Sequence, residues 1–423
     1  MRHSSSGSGP VDSLGRLLPL ANLISFFAIA LVEFAIPFIT VSKMQAGAVV
    51  IAILGVCRFL PQVLFAGTAA DFVGRVDQRT VMLTSEALSV VAFALAAVAL
   101  AARPVVAVFV FMGSNIALAL ASVLTAVSIQ VIVPAKFSPD GRHRIFSRLG
   151  TTESTADMIG PTVAGVGLAW IGVSATFGSA AVLAAVAMFL LSGIPKIMVS
   201  KKSGADPVSD RPPRQSLRHG LQVNFTQPVL ARLTIWAVAY NLGQCVIAPV
   251  LLIAMIHAMH VGSGAFGTIR TISVVFAVVG SFAAGKLPPS LRNGNSISWF
   301  GFGAIGSYFL VGVGVLVGNI FGLALVLTGF ALDEFCSGMV LVLIQSMRAI
   351  AISDADRPAA ASAYRVLNVS AVPAGYIIGG LAGTLFQDRM VILLTGLTML
   401  MCGLIVWTRA VRTAVFEEET SAL

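Results

Sequence analysis

Charge is scarce in this sequence. Only 11% of its 423 residues are Asp, Glu, Lys or Arg, against about 25% in an ordinary soluble domain. With 57% of residues hydrophobic, that scarcity excludes a water-soluble globular chain. Cysteine is scarcer still: Cys57, Cys245, Cys336 and Cys402 stand far apart, which excludes a disulfide framework and metal-ligand spacing and leaves them as packing residues. No phosphate-binding glycine loop, nucleophile elbow or metal cluster occurs. Neither an enzyme nor a self-contained ATP-driven pump is therefore expected, and no cofactor or metal is called for.

Long apolar runs are what the sequence does have. Crossing the hydrocarbon layer takes about 20 mostly apolar residues as a helix, and twelve such spans are predicted, at 17–41, 47–70, 80–101, 105–133, 145–170, 172–195, 229–256, 262–287, 297–318, 319–346, 359–384 and 390–410. Helices satisfy their own backbone in lipid, and the runs are too long and too evenly apolar for barrel strands. The expected class is all-α integral membrane. The polar start is followed by an apolar run longer than a signal-peptide core with no small-residue cleavage signature, so the first span is expected to be its own anchor.

Basic residues set the orientation, because loops rich in Lys and Arg stay cytoplasmic. Arg75 and Arg79, the cluster Lys136, Arg142 and Arg144, the basic stretch from Lys196 to Arg218, then Arg348, Arg357, Arg409 and Arg412 alternate with turns holding little beyond Lys43, Arg103 and Arg389. Both termini and the central loop are expected in the cytoplasm, the chain in an inner membrane. The net charge of +9 is what loops beside anionic lipid carry and calls for no nucleic acid.

The one extended polar stretch, "KKSGADPVSDRPPRQSLRHG", reads as a flexible linker. The expected organisation is a tail at 1–16, a six-helix bundle at 17–195, a linker at 196–228, a second bundle at 229–410 and a tail at 411–423. A shift of 212 residues aligns Pro37 with Pro249, Gly55 with Gly267 and Arg58 with Arg270. A shift of 215 aligns Ser122 with Ser337, Ile129 and Gln130 with Ile344 and Gln345, Ser138 with Ser353, Arg142 with Arg357, Gly160 with Gly375 and Gly165 with Gly380. The halves read as duplicated copies, an architecture of transporters with a midplane substrate site.

After the second span the chain reads "GTAADFVGR", with Gly67, Asp71, Gly74 and Arg75. This resembles the loop signature of the major facilitator superfamily, and the twelve spans, duplicated halves and linker extend the resemblance over almost the whole chain. It implies two six-helix bundles and a conformational gate at Gly67, Asp71, Gly74, Arg75 and Arg79. In the family the aspartate braces helix 2 against helix 11, which here would start near Arg357 and Pro358. Phe72 and Val76 stand where the family commonly has basic residues. The alternative is that Asp71 and Arg75 only cap a helix and mark the interface. In the fifth span "DMIGPTVAG" is similar to the antiporter signature of the family's exporters through Gly160, Pro161 and Gly165, with Ala164 in place of the usual glycine.

A charge at the bilayer centre costs about 2.5–3.5 kcal/mol on insertion scales, so ionisable residues at depth mark coupling chemistry. Glu33, Arg58, Asp157, Arg270, Asp333 and Glu334 fall inside spans. Glu33 and Arg58 lie at comparable depth, and a pair broken by protonation of Glu33 would be a proton switch. Arg270, the repeat equivalent of Arg58, would pair with Asp333 or Glu334. The alternative is that these are structural ion pairs joining helices. Glu153 and Asp157 share one helix face, and Glu86 reads as an interface residue near the cytoplasmic end. Substrate contacts are expected from Asn115, Gln130, Tyr240, Asn241, Gln244 and Gln345, with helix-to-helix hydrogen bonding as the competing role. His257 and His260 are close in sequence, but a pair alone makes no metal site.

The resulting expectation is a monomeric secondary transporter whose partners are protons, a small molecule and the lipid bilayer. Export by proton antiport is the leading reading, a siderophore the leading substrate and multidrug efflux next. An uptake symporter and a non-transporting receptor or membrane enzyme are the other classes.

Overall fold

A computed structural model of the chain describes residues 10–73, 75–99, 101, 103–194, 196, 213–353 and 355–414. Among them there is no strand. The helices are α1 (Pro10–Ser42), α2 (Ala48–Val73), α3 (Gln78–Ala99), α4 (Pro104–Lys136), α5 (Pro139–Trp170), α6 (Val173–Ser192), α7 (Pro213–Thr226), α8 (Pro228–Ile253), α9 (Ser263–Lys286), α10 (Gly294–Val317), α11 (Ile320–Ala351), α12 (Arg357–Leu385), α13 (Asp388–Cys402) and α14 (Arg409–Arg412). Eleven are long and apolar enough to cross a membrane. The remaining long one, α5, has 32 residues, but Arg148, Glu153 and Asp157 dilute its hydrophobicity.

Local chemistry explains where these helices begin and end. Proline occupies the first turn of α4, α5, α8 and α12, where its missing N–H would have had no partner. Asn293 and Asn319 cap α10 and α11 by accepting from Ser296 N at 3.0 Å and from Phe321 N at 3.0 Å. Gly318 closes α10 at φ +69°, a conformation that favours glycine. Proline also lies inside α1 (Pro37), α2 (Pro61), α4 (Pro134), α5 (Pro161), α8 (Pro249) and α12 (Pro373). Large apolar side chains such as Trp170, Phe189 and Phe321 stay exposed, as a hydrocarbon solvent permits.

The chain forms two compact units. One holds α1, α2 from Cys57 onward, α3 to α6 and the stretch Gly262–Thr271; the other holds Ala46–Val56, α7, α8, α9 from Ile272 onward and α10 to α14. In the first, α1 packs on α5 and α6, and α3 on α4 and α6, around Leu18, Met82, Ile132, Val133 and Ile145. In the second, α10 packs on α11 and α13, and α8 on α12 and α13.

The predicted linker is helical in its second half. From Pro213 it forms α7, which packs on α12; residues 197–212 lie outside the described residues. Gly220, Val223 and Asn224, three and four positions apart, share one face. Asn224 Nδ2 donates to Ala360 O at 2.8 Å, and His219 Nε2 lies 2.6 Å from Asp356 Oδ1. A Cβ at Gly220 would strike the carbonyl of Ala359. Charge and proline in this stretch masked a short amphipathic face.

Candidate functional site

Glu33 on α1 and Arg58 on α2 form an ion pair, with Arg58 Nε donating to Glu33 Oε1 at 2.5 Å. Arg58 is only 9% exposed, and its Nη1 has no partner among the described residues. Asp157 on α5 is exposed and feels the charges of Glu33, Glu153 and Arg58. Glu153 accepts from Asn22 Nδ2 at 3.5 Å. Three of the predicted coupling residues are thus gathered in one unit, with a carboxylate and a guanidinium in contact.

The α5 signature lies on a seam of close backbone approach. A Cβ on Gly160 would come within 2.5 Å of Ala30 Cβ. One on Gly165 would strike the carbonyl of Ser263, and one on Gly267 the carbonyl of Pro161. Thr162 Oγ1 donates to Thr271 Oγ1 at 2.6 Å, and Thr271 passes its own proton to Met158 O at 2.7 Å. The repeat-related glycines hold corresponding places in the second unit. Gly375 meets Cys245 and Leu242, Gly380 meets Ala52, and Gly55 meets the ring of Tyr376.

In the second unit Asp333 on α11 is 2% exposed and accepts from two phenols, Tyr240 OH at 2.7 Å and Tyr308 OH at 2.8 Å. Tyr240 stacks on Trp236 with ring centroids 5.3 Å apart. Beside it lies a cavity of about 340 Å³ lined among others by Trp236, Tyr240, Asn241, Glu334, Ser337 and Tyr364. Asn241 Nδ2 donates to Asn368 Oδ1 at 2.9 Å. Arg348 lies 4.0 Å over the Tyr364 ring.

The other predicted residues are dispersed. Asn115 is buried in α4 and Gln244 half-buried in α8, while Gln130 and Gln345 are exposed; none of these four lines that cavity. Arg270 is half-buried in α9. Of the gate residues, Arg79 Nη2 donates to Ser192 O, and Arg75 is exposed with its backbone N–H on Phe72 O at 3.0 Å. Gly74 and the side-chain positions of Gly67 and Asp71 lie outside the described residues. All four cysteines are free thiols.

One acceptor role and one donor escaped the sequence reading. Glu86, expected at an interface, is 2% exposed within α3 and accepts from Ser25 Oγ at 2.7 Å. No sequence pattern links a serine of the first span to an acid of the third. Tyr308 could have been found by scarcity: the chain has four tyrosines, Tyr240, Tyr308, Tyr364 and Tyr376, all in its second half.

The family model of the Major Facilitator Superfamily matches residues 18–347. No curated protein sequence matches the chain. Solved structures with the same fold include a bacterial homologue of the iron transporter ferroportin, with 15% identity, TM-score 0.72, and coverage of 94% of this chain and 99% of that one. The nucleoside transporter NupG follows with 14% identity, TM-score 0.66, and 93% and 98% coverage. A POT family transporter in complex with a thioalcohol-conjugated peptide shares 12% identity, TM-score 0.67, and 93% and 95% coverage. With its long apolar helices and this match over most of its length, the chain belongs to the Major Facilitator Superfamily: it is a multi-span membrane protein and a secondary transporter, not an enzyme.

Proposed function

We propose that the protein exports a small molecule across an inner membrane by proton antiport and alternating access, with a siderophore as substrate. The observation that carries the coupling is the ion pair of Glu33 with the buried Arg58. A proton arriving on Glu33 abolishes the attraction and frees the guanidinium, so protonation and a change of helix contacts become one event. Asp157, within electrostatic range of this pair, is the second proton site. Asp333 and Glu334 are the corresponding acids of the second half. Export is supported by the glycine and proline seam of α5. Asp71, Arg75 and Arg79, with Gly67 and Gly74, act as the cytoplasmic gate, both termini are cytoplasmic, and the protein works as a monomer.

The siderophore assignment rests on the sequence resemblance to bacterial exporters, since structural neighbours at this identity share the fold alone and include a homologue of an iron transporter and a nucleoside transporter. A multidrug reading is favoured by one feature, the aromatic wall of the 340 Å³ cavity, which suits amphipathic molecules. An uptake symporter would use the same acids and has no need of the α5 seam.

The test is proton release or uptake when candidate siderophores and drugs are added to the purified protein, comparing wild type with Glu33→Gln and Asp333→Asn. Release on binding that is lost in Glu33→Gln supports antiport through this pair. Binding without proton movement would refute proton coupling.

A further inference from the structure

A second, smaller cavity lies inside the first unit, about 40 Å³ in volume, where α1, α3, α4 and α5 converge. Its polar wall consists of Ser25, Ser85, Ser89, Ser122, Thr125 and Glu153. Each hydroxyl spends its proton elsewhere. Ser25 donates to Glu86 at 2.7 Å, Ser89 to Ser85 O at 3.2 Å, and Ser122 to Leu118 O at 2.7 Å. Ser85 donates to Ala121 O at 2.8 Å, so the 2.7 Å contact between Ser85 and Thr125 uses the Thr125 proton. What remains for the cavity is oxygen lone pairs and the carboxyl group of Glu153. Such a wall repels anions and has no proton left to offer a neutral acceptor.

The charges around it point the same way. Glu153, the acid on this wall, has no Lys or Arg partner among the described residues. A buried carboxylate is tolerated when it is paired or coordinates a cation. Hard cations take oxygen ligands, and water needs only about 10–15 Å³ of such space, so the cavity has room for one small ion with a water or two. Neutral hydroxyls with one carboxyl on the wall balance a single positive charge, half of what calcium carries.

We propose that this hydroxyl-lined cavity is a binding site for a small monovalent cation of sodium size, separate from the Glu33–Arg58 pair. It does not depend on the direction of transport or on proton coupling through Glu33.

Binding of radioactive sodium to the purified full-length protein tests it, with choline as the inert cation and excess unlabelled sodium as competitor. The expected result is saturable binding displaced by sodium and not by choline. Ser85→Ala, Thr125→Val and Glu153→Gln should each weaken it about 10- to 100-fold, the range for changes around a metal site, in preparations that still melt cooperatively. Wild-type protein that melts cooperatively and shows no saturable sodium binding overturns the proposal. So does binding unmoved by all three substitutions, or binding displaced by calcium in preference to sodium.

Discussion

Glu33 and Asp333 are both acids within apolar helices, and their surroundings assign them different work. Glu33 faces a guanidinium whose ion pair is lost when the acid is neutralised. Glu33→Gln should therefore abolish substrate-linked proton release while leaving downhill substrate exchange in proteoliposomes; retained proton release would remove Glu33 from the coupling path. Asp333 is held by two phenols, and a hydrogen bond to a charged group is worth about 1.5–3 kcal/mol. Tyr308→Phe should lower the melting temperature of the purified protein, and the double variant with Tyr240→Phe should lower it further. An unchanged melting curve in both would mean that the phenols do not hold the acid. The contact of Glu33 with Arg58 was legible because so few charges exist at depth that two at matching height invite pairing. The tyrosine clamp was not, because Tyr308 and Asp333 are 25 residues apart on neighbouring helices and no periodicity relates them.

At the scale of elements, helix starts and the close-packed seams decide the architecture. The seam of α5 was legible from Gly160, Pro161 and Gly165, since small residues in a membrane helix announce close approach. Which surface they approach was not legible: Gly165 meets the backbone of Ser263, nearly a hundred positions away. Gly165→Leu places a side chain against a carbonyl that cannot yield, and overpacking costs about 1–3 kcal/mol or more. Transport in proteoliposomes should be lost and the melting temperature lowered, whereas Gly150→Leu, at a position with open space around it, should leave stability unchanged. The converse failure of sequence reading is α7. A stretch rich in proline and charge was expected to be a connector, yet Gly220 and Asn224 fasten its second half to α12. Asn224→Ala removes a buried donor, a loss of about 1–3 kcal/mol. It should speed protease cleavage within α7; an unaltered cleavage rate would show that the docking is maintained by other contacts.

For the whole molecule, hydropathy alone exposed the fold class, because lipid leaves a long apolar run few options besides a helix. The proposed orientation, with both termini in the cytoplasm, makes a simple prediction. In a background where the four native cysteines are replaced, a single cysteine near either terminus should react with impermeant reagents only from the cytoplasmic side; labelling from outside would reverse the orientation. The internal prolines carry a consequence at this scale. Pro37 removes the backbone bond that would reach the carbonyl of Glu33, and Pro161 removes the one to Asp157, so each helix is locally softened at a titratable residue. Flexure and charge thus coincide on α1 and α5. Pro249 of α8, which a shift of 212 aligns with Pro37, softens its helix in the same way, but the residue four positions before it is Cys245, packed against Gly375. If Glu33 and Asp157 carry the protons as proposed, the first bundle is the half in which bending and proton binding meet.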